Sequence, residues 1–125
     1  MEELSKLEAE LAAMRKEEAE LEKKSETQRE KLRELERRRA VECFRLSALE
    51  NLMKTSDDPF GEEFEEIRAK WLRLYEEITG PEGLAVSCNE AKRASNDCEY
   101  RLRLLSYRIQ STESDIAAIK RRGRS

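Results

Sequence analysis

A single three-four spacing runs from Leu4 to Met53 with no Gly or Pro inside it. From Leu4 it passes through Leu7, Leu11, Met14, Glu18, Leu21, Ser25, Gln28, Leu32, Leu35, Arg39, Glu42, Leu46 and Leu49. A mean step of 3.5 residues keeps one stripe of a helix turned toward one neighbour, which is how coiled coils bury apolar side chains. A helix of about 50 residues is ~75 Å long at ~1.5 Å per residue, far more than a compact domain of this size needs. This feature alone argues against an ordinary globular core.

Two further stretches carry the same spacing. Phe60, Phe64, Ile67, Trp71, Leu74 and Ile78 step by four and three. Asp58 before Pro59 resembles an N-cap followed by Pro at the first helical position, where the missing N–H costs nothing. Glu62 and Glu63 then complement the positive end of the helix dipole, and Gly80–Pro81 supplies the stop. The third series is Leu84, Cys88, Ala91, Ser95, Cys98, Leu102, Leu105, Ile109, Thr112, Ile116 and Ile119. The expected helices are therefore about 3–54, 59–79 and 84–121, with an elbow at 55–59 and a turn at 80–83.

A second stripe, Val41, Phe44, Ala48 and Leu52, appears in the later part of the first helix. Tyr100, Leu104 and Tyr107 form another on the third. A helix with two apolar stripes is expected to meet two neighbours. Short connections make consecutive helices antiparallel neighbours, so the third helix is expected to run parallel to the first. The resulting fold class is all-α: an elongated coiled coil of three heptad helices, with a short antiparallel bundle and projecting coiled-coil arms. Residues 1–35 form an oligomerisation arm, 36–105 the three-helix bundle region, and 106–125 a projecting helix end with a basic tail.

Composition supports this reading. Charged residues make up 42% of the 125 and hydrophobic ones 38%, too thin a supply for a thick core but enough for narrow stripes. Disorder would favour a large net charge and few aliphatics, whereas the net charge is −3 and Leu recurs at fixed intervals. Residues 55–83 hold 3 basic and 9 acidic side chains, while residues 84–125 hold 9 basic and 5 acidic ones. An acidic second helix and a basic third are thus electrostatically compatible.

Chemistry at a site finds little support. The chain has no His, and Cys43, Cys88 and Cys98 form no close pair, so the paired spacing of a zinc site is missing. Scattered thiols in odd number fit a reducing compartment. Asp57, Asp58, Glu62 and Glu63 lack the alternating spacing of a calcium loop and are better explained as caps and dipole partners. No catalytic triad or glycine-rich phosphate loop is present. The expectation is a non-enzyme with no catalytic, cofactor-binding or metal residues.

Partner binding is the remaining class. Leu4, Leu7, Leu11, Met14, Leu21, Leu32 and Leu35 of the first seam are the candidate contacts, with Ile109, Ile116 and Ile119 at the other end. Polar residues in a seam, here Ser25, Gln28 and Arg39, can set register or partner choice. Tyr75 stands off the Trp71 seam, where it lines a neighbouring groove or a partner surface. Expected partners are a second copy, giving a homodimer, or another coiled-coil chain.

The analogy is to subunits of cytoskeletal, centrosomal, ciliary or chromosome-segregation complexes, and it is one of type only. Lys120, Arg121, Arg122 and Arg124 offer a basic contact for an acidic surface such as a microtubule. The alternative function is an adaptor or tether that uses this tail on nucleic acid or an anionic membrane. A negative net charge and small basic clusters count against both of those surfaces. No apolar run of membrane-spanning length occurs, so a cytoplasmic, cytoskeleton-associated location is expected, with the tail weakly compatible with nuclear import.

Overall fold

The computed structural model describes residues 2–124, and the Arg124 side chain lies outside the described residues. Three helices appear, α1 (Glu2–Lys54), α2 (Glu62–Thr79) and α3 (Leu84–Arg124), and no strand is present among the described residues. The spaced residues are the shielded ones. In the α1 series from Leu4 to Met53 only Arg39 is exposed, and every member of the α3 series from Leu84 to Ile119 is buried or half-buried.

The start of α2 differs from expectation. Asp58, Pro59, Phe60 and Gly61 form a turn closed by Gly61 N–H donating to the Asp58 carbonyl at 3.2 Å. Asp at the first position, Pro at the second and Gly at the fourth suit such a turn. The Asp58 carboxylate accepts from the Phe60 N–H at 3.2 Å, so it serves the turn rather than the helix. The N-cap is Gly61, with no side-chain cap. Phe60 is 93% exposed and does not begin the seam, which starts at Phe64. At its other end α3 continues past position 121 to Arg124.

The chain divides into two compact units, Met1–Gln28 with Ala94–Ser125, and Arg29–Arg93. This differs from the expected division into 1–35, 36–105 and 106–125. In the first unit the N-terminal half of α1 packs on the C-terminal half of α3. Met14, Leu105 and Ile109 form a buried cluster, with Leu11 and Leu21 packed against it. The Arg15 guanidinium donates to Glu113 at 2.6 Å, and Lys120 lies 3.7 Å from Glu8. These pairs run in opposite order along the two helices, so α3 is antiparallel to α1 here. The expected parallel direction is corrected. It took both short connections as reversals, and apolar spacing reads the same in either direction.

Ser25 of this unit is 3% exposed, and its hydroxyl has no hydrogen-bond partner in the chain. A buried hydroxyl without a partner costs ~1–3 kcal/mol of desolvation. Ser25→Ala removes that cost and improves helix propensity. The thermal midpoint, followed by circular dichroism, is expected to rise with about 1 kcal/mol of added stability. A lower midpoint would show that the hydroxyl is satisfied. Ser25→Leu is expected to act in the opposite direction by overpacking, at about 1–3 kcal/mol.

In the second unit α2 folds back on α1. The Trp71 indole N–H donates to Glu50 at 3.2 Å, and Arg73 and Glu76 share an open groove with Glu42 and Arg45. Higher numbers on α2 thus meet lower numbers on α1. Ile78, Cys88 and Ala91 are buried, while Leu46, Leu49, Met53, Phe64, Ile67 and Leu74 are half-buried. Tyr75 stacks on Trp71 with ring centroids 5.0 Å apart and planes 12° from parallel.

Candidate functional site

The seam residues proposed from sequence for a partner are turned inward or partly so. Leu4, Leu7, Leu11 and Leu21 are half-buried and Met14 is buried, in the unit that also holds buried Ile109 and Ile116 and half-buried Ile119. Leu32 and Leu35 are half-buried in the other unit. Two of the expected partner-binding groups, the early α1 seam and the end of α3, therefore belong to one folded unit. The Met14–Leu105–Ile109 cluster joins them directly.

The basic end of α3 is also engaged in part. Lys120 faces Glu8, and the Arg121 Nε–H donates to the Ala117 carbonyl at 3.4 Å. Arg122 has an interaction of its own. Such exposed pairs add between ~0 and 1 kcal/mol each, so they direct side chains more than they stabilise. Among the described residues no group of three or more His, Cys, Asp or Glu is placed to hold a metal, and no helix is long and apolar enough to cross a membrane.

What stays uncovered is the pair of second stripes. The expectation that they lie inside a three-helix bundle is corrected. Val41 is 47% exposed, Phe44 77% and Leu52 52%, and Ala48 is exposed with them. In the first unit Tyr100, Leu104 and Tyr107 are likewise exposed. Apolar spacing marks a helix face but does not say whether the same chain supplies its cover. An isolated exposed apolar residue needs no explanation, whereas contiguous ones mark interaction sites.

A further exposed face lies on α2, where Leu72 and Tyr75 are half or nearly half exposed beside exposed Ala69. Tyr75 stands off the Trp71 seam in the sequence pattern, and Leu72 lies three residues before it on the same exposed face. The signal for it was available in the spacing of Glu62, Glu65, Ala69, Leu72 and Glu76, which steps by three and four beside the buried series. Its apolar centre is only three residues wide, so it is masked by the stronger Phe64–Ile78 pattern.

The charged residues near the two exposed faces of the Arg29–Arg93 unit are largely engaged within the chain: Arg38, Glu42, Arg45, Arg73 and Glu76 line one groove. Arg45 donates to its own Glu42 at 2.8 Å, and Arg68 lies 3.9 Å from Glu65. Neither face offers a nucleophile, a paired acid and base, or an enclosed cavity; both offer apolar area with a charged rim. No family model, curated protein or solved structure matches the chain.

Proposed function

We propose that this chain is a non-enzymatic coiled-coil assembly subunit. Its heptad seams hold the helices together, and its exposed apolar stripes bind protein partners. The observation that carries this reading is Phe44, 77% exposed at the centre of Val41, Ala48 and Leu52. Large aromatic side chains supply much of the binding energy where they enter a partner's pocket. Structural complexes of cytoskeletal, centrosomal, ciliary or chromosome-segregation type are the proposed setting, by analogy of architecture. The partner is a second copy or another helical chain.

The test is site-specific photo-crosslinking in living cells, with benzoylphenylalanine in place of Phe44. Discrete protein adducts, identified by peptide mapping, are expected at position 44 and not at exposed polar Glu30. No adduct at position 44 would overturn the reading. The tethering alternative rests on Lys120, Arg121 and Arg122. It predicts binding to nucleic acid or anionic vesicles that falls steeply with salt.

A further inference from the structure

We propose that the unit of Met1–Gln28 and Ala94–Ser125 is a clasp, which opens while the Arg29–Arg93 unit stays folded. The clasp goes beyond the reading of the exposed stripes and does not depend on it. Its basis is where polar residues fall within the α1–α3 seam. Arg15 pairs with Glu113, and Met14 clusters with Ile109, which fixes the alignment of the two antiparallel helices. Eleven residues on from Met14 stands Ser25, and eleven back from Ile109 stands Cys98. Fourteen residues from the same starting pair stand Gln28 and Ser95. Both steps are close to whole turns, about three and about four, so each pair falls in one layer of the seam.

These two layers are where the seam is weakest. Ser25, Ser95 and Cys98 are buried, and Gln28 is half-buried. The Ser25 hydroxyl has no partner, and no other fully buried side-chain nitrogen or oxygen among the described residues is left so. Water reaches that hydroxyl only when the helices part, so its missing hydrogen bond favours the open state. The layers also close the unit, since Gln28 is the last residue it takes from α1 and Ala94 the first from α3.

The rest of the contact is thin. It has one buried cluster of Met14, Leu105 and Ile109, and two ion pairs between exposed side chains. Exposed ion pairs contribute little. The Arg29–Arg93 unit draws on three helices and holds no stranded buried group among its described residues. Segments with few buried contacts open on their own, below the free energy of global unfolding. Opening uncovers two heptad seams together, Leu4, Leu7, Leu11 and Leu21 on α1 and Ile116 and Ile119 on α3. Closed, the clasp hides these seams from other coiled-coil chains; open, it offers both.

The native thiols read the opening, because buried Cys98 belongs to the clasp and buried Cys88 to the other unit. The full chain is treated with iodoacetamide, and each site is followed by peptide mass spectrometry. Each rate is divided by that of the same thiol in urea. Cys98 is expected to react about tenfold or more ahead of Cys88, as an opening below the global one requires. Ser25→Ala, which removes the stranded hydroxyl, is expected to slow Cys98 about fivefold. Leu105→Asp is expected to expose Cys98 fully while Cys88 stays protected.

Equal protection of Cys88 and Cys98 in the wild type would overturn the proposal, since the chain would then open only as a whole. Faster or unchanged labelling of Cys98 in Ser25→Ala would remove the polar layer as its weak point. Release of both thiols together in Leu105→Asp would show that the two units do not open separately.

Discussion

Replacing Leu105 with Asp is expected to unfold the unit formed by Met1–Gln28 and Ala94–Ser125. Leu105 is 4% exposed and lies in the cluster with Met14 and Ile109. Truncating a buried Leu to Ala costs about 2–5 kcal/mol through lost transfer energy and the cavity left behind. Asp adds the cost of placing a carboxyl among apolar side chains, where nothing pairs with it. A total above about 5 kcal/mol is exceptional for one substitution, and it approaches the whole stability of a typical domain. Loss of amide protection across the early part of α1 and the later part of α3 is the expected hydrogen-exchange result. Native protection in the variant would contradict the packing. Tyr107→Asp is the control: two residues away and 68% exposed, it is expected to change stability by no more than about 0.5 kcal/mol.

Gly83→Ala is expected to damage the junction between α2 and α3. No glycine of the chain has positive φ among the described residues, so the requirement here is for space and not for handedness. A Cβ on Gly83 would stand 2.7 Å from the Ile78 carbonyl oxygen, 2.8 Å from that of Glu77 and 2.9 Å from the Gly80 nitrogen. All three are backbone atoms and none can rotate away. Gly83 N–H also donates to the Gly80 carbonyl at 2.8 Å, and its own carbonyl accepts the first turn of α3 from Ser87 at 3.1 Å. Relief of the clash therefore breaks hydrogen bonds on one side or the other. A cost of about 2–3 kcal/mol follows from comparable overpacking. That lowers the thermal midpoint by on the order of 10 °C in a chain of this length. An unchanged midpoint would show that the turn can relax. Gly123→Ala meets nothing within 4 Å and is expected to leave the midpoint unchanged or raise it slightly.

Much of the helical organisation was legible in the spacing alone. Glu18 and Gln28 kept their places among shielded positions although they are polar, because helix geometry and not residue type decides which face turns inward. Arg39 is the exception, and its long charged side chain stays in water. Phe60 marks the limit of periodicity as a guide to burial. It stands at the correct interval, but periodicity has meaning only where the backbone is already helical, and Asp58–Gly61 is a turn. Helix direction was illegible for a different reason. A row of Leu and Ile at three-four intervals is unsigned, so it fits a parallel or an antiparallel neighbour equally, and Arg15 to Glu113 decides between them. The exposed faces lay between these cases. Val41, Phe44 and Leu52 were legible as a stripe, while their cover, or lack of it, depends on the placement of other elements.

The exposure pattern has a chemical corollary at the three thiols. Cys88 and Cys98 are buried in α3, whereas Cys43 is exposed and adjacent in sequence to Phe44. A maleimide or a spin label applied to the folded wild-type chain therefore reacts at a single address, with no cysteine to remove or add. Consecutive residues of a helix stand about 100° apart, so a label at Cys43 sits on a different side of α1 from the Val41–Phe44–Leu52 stripe and leaves that surface uncovered.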